Sequence, residues 1–199
     1  YDAPTWPNGF LQGRHGSFFE WNNQWYFAYC DISQTGNRYF RDTFISYVNY
    51  KQNGEMATIR LDGIGVGQYD AEQGKIEAED YFNINGLEKE EIKADQFAIK
   101  QSAYNSWVQY PNIKNLNGYK FINLDLIYLE TSAFTLEIRR NSPTGALIAV
   151  EKIKSDVVGN QSVKLQLSDL NDTENIVIII KEAMYENSVA IDSFHFSKA

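Results

Sequence analysis

Short runs of aromatic and β-branched residues, separated by turn formers, dominate the first third of the chain. Such runs are typical of β-strands. Four of them have strand length: residues 17–22, 24–30, 43–50 and 56–61. Asn22-Asn23 and Asn53-Gly54 lie between runs and favour tight turns. The pattern therefore predicts a four-stranded antiparallel meander.

The apolar residues of this meander do not alternate strictly. Phe18 and Phe19 are neighbours, and Trp25, Tyr26 and Phe27 are consecutive. A strand whose neighbouring residues are all apolar is buried on both faces of its sheet. Four strands covered on both faces resemble one blade of a β-propeller. The strands would then need cover from further structure, either the rest of the protein or a second chain.

The pattern changes after the glycine-spaced connection at residues 63–67. From Lys75 onward the alternation of apolar and polar positions is cleaner: Phe134, Leu136 and Ile138 can share one face, and Val163 and Leu165 repeat the pattern. Nine strands are predicted in this part: 75–81, 96–101, 106–113, 119–130, 134–140, 146–153, 161–168, 175–181 and 189–197.

Nine strands joined by turns indicate a two-sheet β-sandwich. No convincing helix is predicted, although DAEQG at 70–74 and EKEEIK at 88–93 could each form a helical turn. The predicted fold is therefore all-β, with an incomplete blade at 1–74 and an independent sandwich at 75–199.

Charge and cysteine content exclude several classes of function. The formal net charge of −8 divides into −3 for residues 1–74 and −5 for residues 75–199, so neither part has the basic face that nucleic acids require. The longest aliphatic run, residues 176–180, is too short to span a membrane, and the first residues do not have the pattern of a signal peptide. Cys30 is the single cysteine, so no intrachain disulfide forms; its aromatic surroundings indicate a buried packing residue.

Two sets of motifs resemble known families. The segment GRHGSFFEWNNQWYFAYCD at 13–31, with YFRDTF further on, resembles the C-terminal end of a family 43 glycoside hydrolase, which is a five-bladed β-propeller. The motifs KIEAEDYF, SWVQYPNI and VAIDSFHFS in residues 75–199 resemble a family 6 carbohydrate-binding module, a jelly-roll β-sandwich. Together the two resemblances cover nearly the whole chain.

The first resemblance assigns roles to His15 and Arg41. By analogy, His15 of the HGS motif would ligate a metal ion or hold a water on the propeller axis, and Arg41 would line the sugar pocket. Imidazole and guanidinium groups suit these roles. A core histidine and a solvated loop arginine are the structural alternatives.

The catalytic acids implied by this resemblance belong to earlier blades, and no stretch of residues 1–74 matches them. Glycoside hydrolysis needs an acid and a base on opposite sides of the bond. Glu20, Asp31, Asp42 and Glu55 are interpreted as blade-edge or turn residues. This chain by itself is therefore expected not to hydrolyse glycosides, and it is interpreted as the C-terminal part of a longer enzyme.

The second resemblance implies a structural calcium ion in the sandwich. Glu77 and Glu79 are two residues apart and would point to the same side of a strand, and Asp192 lies in the last strand, which pairs near the first in a jelly roll. Three hard oxygen ligands suit Ca²⁺. The alternative is an acidic edge that discourages strand pairing.

The sugar site implied by the family is incomplete here. The family places an asparagine just before the C-terminal Ile-Asp, where this chain has Ala190, and the loop at residues 159–162 has no tryptophan. Tyr104 and Phe97 remain as candidate stacking platforms, with Asn105, Asn187 and Glu186 as polar partners. Trp107 is interpreted as a core residue.

Three functions are consistent with these observations. The first is the C-terminal part of a polysaccharide-degrading enzyme of the arabinofuranosidase or xylosidase type, acting on arabinoxylan or a related plant polymer. The second is a non-catalytic carbohydrate-binding protein. The third is a structural adaptor whose sugar cleft has decayed. The family's substrates imply a location outside the cytoplasm, either extracellular, periplasmic or at the cell surface.

Overall fold

The computed structural model describes residues 15–31, 35, 39–60 and 64–199. The chain divides into two compact units, Tyr1–Gln68 and Tyr69–Ala199. Residues 69–74, placed with the blade in the sequence analysis, belong to the second unit, where Tyr69 and Ala71 enter its core. No helix among the described residues is long and apolar enough to cross a membrane.

The first unit contains a three-stranded antiparallel sheet. Its strands are β1 (Gly16–Trp21), β2 (Gln24–Asp31) and β3 (Asp42–Val48), in the order β1-β2-β3. Asn22 and Asn23 both have positive φ angles, 52° and 59°, which a two-residue hairpin turn between β1 and β2 requires. A small core of Phe27, Tyr29, Phe44, Val48 and Ile59 lies on one face.

The fourth strand predicted for this unit is not formed in the described residues. Instead of a strand over 56–60, the chain makes an isolated antiparallel bridge between Tyr50 and Met56. The Asn53-Gly54 turn closes this bridge, with the Asn53 side chain bonded to both the backbone N–H and the carboxylate of Glu55. Met56 is exposed, whereas Ile59 of the same segment is buried in the core of the first unit.

The second unit is a sandwich of two antiparallel sheets. Its strands, in chain order, are β4 (Ile76–Glu77), β5 (Asn83–Asn85), β6 (Leu87–Lys93), β7 (Gln96–Gln101), β8 (Ser106–Ile113), β9 (Phe121–Tyr128), β10 (Ser132–Arg140), β11 (Leu147–Ser155), β12 (Gly159–Gln166), β13 (Glu174–Lys181) and β14 (Val189–Ser197). One sheet has the order β11-β10-β13-β8-β5. The other has the order β12-β9-β14-β7-β6, with β4 paired to β14.

The core of the second unit lies between these sheets. It is built from alternating positions such as Leu124 and Leu126 of β9, Leu136 of β10, Ile178 of β13 and Ile191 of β14, all of them almost completely buried. Tyr110 and Phe194 pack edge to face in its centre, with ring centroids 4.7 Å apart. The all-β sandwich predicted from the sequence is confirmed.

The segment EKEEIK, which the sequence alone allowed to form a helical turn, forms most of β6. This strand is the edge of its sheet and pairs only with β7. Charged side chains protect an exposed strand edge from unwanted pairing, and the same composition is common on helix surfaces. The turn predicted over DAEQG is present as a short 3₁₀ helix, Ala71–Gln73, whose N-cap is Asp70.

Candidate ligand-binding site

Four connections of the second unit meet at one end of the sandwich. We call this region the loop end, and it comprises residues 102–105, 129–131, 156–158 and 182–188. Backbone hydrogen bonds hold the connections together: Ala183 N–H donates to Tyr104 O (3.1 Å), and Leu129 N–H donates to Ser188 O (2.9 Å). The connection at 156–158 lies beside the connection at 129–131, because Gly159, which follows the former, pairs with Tyr128, which precedes the latter.

The loop end exposes large apolar side chains. Tyr104 and Tyr185 are exposed to 54% and 46%, on two connections that hydrogen-bond to each other. The remaining apolar members are aliphatic or thioether side chains: Leu129, Val157, Val158 and Met184. Exposed apolar groups that cluster in one place indicate a contact surface for a ligand or a partner.

Internal hydrogen bonds fix the turn that carries the two valines. Ser155 Oγ donates to Val157 O (3.0 Å) and accepts from Val157 N–H (3.3 Å). Gln161 Nε2 donates to Ser155 Oγ (2.9 Å) from the following strand. The apolar tips therefore lie on ordered turns, which reduces the entropy lost when a ligand binds.

Four of the side chains predicted for sugar binding lie at the loop end. Tyr104 is exposed there, and Asn105 next to it accepts a hydrogen bond through Oδ1 from Glu182 N–H (3.2 Å). Asn187 and Glu186 are exposed on the neighbouring connection. The structure therefore brings together two pairs of neighbouring residues, Tyr104-Asn105 and Glu186-Asn187, that are far apart in the sequence.

The prediction for Phe97 is wrong. Phe97 lies in β7 and is only 8% exposed, so its ring has no open face for a sugar. Trp107 lies in β8 between the buried residues Ser106 and Val108 and is half-buried, so it faces away from the core that the sequence analysis assigned to it. Tyr185 was not predicted, although it is the second exposed aromatic ring at the loop end.

Ala190 is completely buried and packs with Ala98 and Ile127 on the outer face of the six-stranded sheet. This small apolar cluster lies where the family resemblance places an asparagine. The position therefore contributes no polar group to a ligand.

A polar pocket of about 250 Å³ opens on the same outer face. Its lining includes Asp125, Asn160, Ser162 and Asp192. Asp125 accepts hydrogen bonds from Ser162 Oγ and, at 3.1 Å, from Ser193 Oγ. The pocket can therefore offer amide and carboxylate groups to a polar molecule.

The carboxylates predicted to hold calcium are only partly assembled. Glu77 Oε2 and Asp192 Oδ2 both contact the Lys75 ammonium, at 3.0 and 3.2 Å. Although partial burial lowers the pKa of Lys75, its contacts with these two carboxylates raise it above the ordinary value. Burial raises the pKa of Glu79 to about 8. Within the described ranges, no group of three or more His, Cys, Asp or Glu side chains could hold a metal ion.

The position of Lys75 between Glu77 and Asp192 determines how a calcium ion could bind there. The carboxylates of Glu77 and Asp192 are hard oxygen donors that converge on one cation, as calcium requires. In the structure that cation is the ammonium of Lys75. A calcium ion at this point would have to displace Lys75.

The two candidates of the first unit, His15 and Arg41, lie around Cys30. His15 N–H donates to Cys30 Sγ (3.3 Å), Cys30 N–H donates to His15 O (3.0 Å), and Arg41 Nη1 lies 3.9 Å from the same sulfur. His15 and Arg41 are both exposed, and Cys30 is half-buried. The structure therefore brings these three residues to one end of the three-stranded sheet.

Comparison with solved structures shows the fold. A glycoside hydrolase family 43 arabinoxylan arabinofuranohydrolase from Bacillus subtilis, solved with cellotetraose, is similar over 94% of this chain, with a TM-score of 0.59 and 14% identity. The match covers 41% of that chain, so the present chain spans less than half of the enzyme's length. Neither the protein-family models nor the curated proteins compared with the chain gave a match.

Carbohydrate-binding modules are similar to a smaller part of the chain. A family 6 module from Clostridium stercorarium, solved with cellobiose, matches 66% of this chain and 98% of its own, with a TM-score of 0.55 and 23% identity. A β-1,3-glucan-binding family 6 module from Bacillus halodurans matches 65% and 98%, with a TM-score of 0.57 and 20% identity. The chain thus contains a β-sandwich with the fold of these modules.

Proposed function

We propose that the second unit is a carbohydrate-binding module that takes a neutral oligosaccharide or polysaccharide at the loop end. The observation that carries this proposal is the pair of exposed tyrosines, Tyr104 and Tyr185, on connections that hydrogen-bond to each other. An exposed aromatic ring offers an apolar face to the C–H groups of a sugar ring. The similar modules solved with cellobiose or described as glucan-binding support this choice of ligand.

The charges of the loop end favour a neutral ligand over an acidic one. Its exposed side chains include the carboxylates of Glu130, Asp156, Glu182 and Glu186. A uronic acid polymer would bring further negative charge to this surface, and like charges repel. Asn105 and Asn187 can supply amide groups that bind sugar hydroxyls.

Calorimetric titration of the whole chain with xylo-, arabino- and gluco-oligosaccharides tests this proposal. The wild-type protein should bind at least one neutral series and no oligogalacturonide. Tyr104→Ala and Tyr185→Ala should each weaken binding about tenfold. Leu147→Ala is the matched control, because Leu147 is also an exposed apolar residue (44%). It begins β11, where it pairs with Arg139 of β10 at the opposite end of that strand from the loop end.

Loss of binding in the Leu147 control, or unchanged binding in both tyrosine variants, would contradict the proposed site. The absence of heat with every saccharide would favour the alternative function, a protein-binding adaptor. The four aliphatic or thioether side chains at the loop end favour that alternative, because such side chains are typical of protein contacts.

We further propose that the chain works as the C-terminal part of a plant-polysaccharide-degrading glycoside hydrolase of the arabinofuranosidase or xylosidase type, located outside the cytoplasm. Similarity to the arabinofuranohydrolase over 94% of the chain supports this proposal. Release of arabinose or xylose from arabinoxylan by the complete protein is the test. No release by a folded complete protein would contradict it.

The first unit is proposed to pack on further structure, either earlier propeller blades or another chain. Phe18, Trp21 and Trp25 of β1 and β2 are exposed, and within the part of the chain that the structure describes β1 is an edge strand. Exposed aromatic side chains on an edge strand favour association. Sedimentation velocity of the present chain should show self-association, and a monomer at high concentration would contradict pairing between chains.

Calcium binding at Glu77 and Asp192 is proposed as well. The convergence of the two carboxylates on one cation supports it, and the ion would tie the start of the sandwich to its last strand. Glu79 is the third predicted ligand.

A further inference from the structure

Three polar side chains are buried directly beneath the loop end. Gln101 and Ser188 have no exposed surface, and Ser132 is 2% exposed. Burial of an amide or a hydroxyl is costly unless its hydrogen bonds are satisfied. These three residues form one satisfied network, and its members lie at the ends of β7, β10 and β14.

Gln101 joins the two connections that carry the exposed tyrosines. Its Nε2 donates to Ala103 O (2.7 Å), one residue before Tyr104. Its Oε1 accepts from Ser188 N–H (3.3 Å), and its backbone O accepts from Asn187 N–H (3.0 Å). The Gln101 side chain therefore joins the β7–β8 and β13–β14 connections from below, in addition to the hydrogen bonds that Tyr104 O and Asn105 Oδ1 accept from the β13–β14 connection.

Ser188 extends the network to Tyr185 and to β10. Its Oγ donates to Tyr185 O (3.0 Å) and lies 2.7 Å from Ser132 Oγ. Its backbone O accepts from Leu129 N–H. Ser188 therefore bonds to the backbone of Tyr185 and of Leu129, and both of these residues expose an apolar side chain at the loop end.

An apolar side chain of similar shape at Gln101 would leave Ala103 O and Ser188 N–H without their hydrogen-bond partner, because both are backbone groups, and this would cost stability. A satisfied buried network instead fixes one geometry of the groups that it joins. Here the joined groups are the backbone segments of Tyr104 and Tyr185.

We propose that Gln101 is a positioning residue of the ligand site: its amide holds the Tyr104 and Tyr185 connections at the spacing that the ligand requires, with Ser188 as the second anchor. This inference rests on the proposed function, because the tyrosines are taken as the ligand platform. Gln101 itself is buried and does not contact the ligand.

The test compares Gln101→Met and Ser188→Ala with Tyr110→Phe in the whole chain. Met fills the volume of Gln without its hydrogen bonds. Tyr110→Phe also removes one buried hydrogen bond, from Tyr110 Oη to Ala78 O (2.9 Å), but in the core, away from the loop end. All three variants should lose a similar amount of thermal stability.

Oligosaccharide affinity should separate the variants. Gln101→Met should bind the oligosaccharide about tenfold more weakly and Ser188→Ala several-fold more weakly, while Tyr110→Phe keeps the wild-type affinity. Equal affinity in all four proteins would overturn the proposal, as would a loss in Tyr110→Phe as large as that in Gln101→Met.

Hydrogen exchange without ligand keeps the inference separate from the proposed function. In Gln101→Met, peptides covering residues 102–105 and 182–188 should exchange faster than in Tyr110→Phe. If the wild type binds no saccharide but this difference is present, the proposed ligand is wrong and the positioning role of Gln101 stands. Equal exchange in the two variants would overturn the positioning role.

Discussion

Gly86 lies against the connection that carries Tyr104. Its φ angle is +66°, and an added Cβ atom would lie 3.0 Å from Ala103 Cβ and 3.0 Å from Asn105 O. Gly86 O also accepts a hydrogen bond from Ser102 N–H. Gly86→Ala should therefore destabilise the protein by about 1–2 kcal/mol from backbone strain, with a further loss from the close contacts, and should weaken saccharide binding.

Gly118→Ala is the matched control for this substitution. Gly118 also has a positive φ angle, +80°, but nothing lies within 4 Å of its added Cβ. Thermal denaturation should show the larger loss for Gly86→Ala, and calorimetry should show weaker binding in that variant alone. If Gly86→Ala and Gly118→Ala lost the same stability and the same affinity, the close contacts of Gly86 would have no part in stability or in saccharide binding.

The residues of the candidate site were only partly predictable from the sequence. Tyr104 was found because a family resemblance pointed to it, and Phe97 was misassigned because an aromatic residue in a strand has the same sequence signal whether it faces solvent or the core. Tyr185 was missed. Its one signal is an aromatic residue in a polar loop, between Glu182 and Glu186, and sequence alone does not show that this loop meets Tyr104.

At the scale of elements, Glu137 of β10 pairs with two cations, Arg139 of the same strand and Lys181 of β13. Arg139 Nε donates to Glu137 Oε2 (2.6 Å), and Lys181 Nζ donates to Oε1 (3.0 Å). Burial by itself raises the pKa of Glu137, but the hydrogen bonds and charges of Arg139 and Lys181 outweigh it and hold the pKa below its ordinary value of 4.5. The folded state therefore favours the ionised carboxylate.

A carboxylate whose pKa is lowered by folding stabilises the protein above its unfolded pKa. That stabilisation is complete above about pH 4.5 and is lost as the pH falls through the lower pKa of the folded state. Glu137→Gln should thus lower the melting temperature at pH 7 and reduce the further loss on acidification to pH 3. A parallel acid loss in wild type and variant would contradict this role of Glu137.

Lys75 and calcium are expected to compete for the carboxylates that join β4 to β14. A ligand that binds only the folded state raises its melting temperature. Calcium should therefore raise the melting temperature of Lys75→Met more than that of the wild type, because the ammonium no longer competes, and a chelator should reverse the effect. Lys152→Met, at an exposed position in β11, is the control. If calcium changed the melting temperature of none of these proteins, the proposed calcium site at Glu77 and Asp192 would be contradicted.

Most elements of the sandwich could be predicted because their two-residue alternation is strong. The predicted bounds of β7, β8 and β14 agree with the structure residue for residue. β5 and β6 were missed because they are short or charged edge strands that the apolar pattern does not mark. β4 is shorter than predicted, since only Ile76 and Glu77 pair with β14.

At the scale of the whole molecule, the second unit should fold without the first. Its main core cluster consists entirely of residues between Tyr69 and Phe196. Residues 69–199 alone should therefore melt cooperatively and bind saccharide with unchanged affinity. Among the described residues, the core of the first unit has five members, and a small sheet is marginally stable in water. Non-cooperative melting of residues 69–199 would contradict this division.

The sequence pattern separated the two parts of the chain because strictly alternating strands begin near residue 75. The pattern could not show that residues 69–74 pack into the sandwich, since the burial of Tyr69 depends on the partners that folding brings to it. The blade interpretation of the first part also depended on four strands with two apolar faces, and the described residues contain three strands and a bridge.

The central claim is that a neutral saccharide binds the loop end of the sandwich. Titration of the isotopically labelled whole chain with a neutral oligosaccharide, followed by amide chemical shifts, tests it most directly. The largest shifts should fall on residues 102–105 and 182–188, with smaller ones at 129–131 and 156–158. Shifts confined to other parts of the sandwich, or no shifts with any neutral oligosaccharide, would contradict the account.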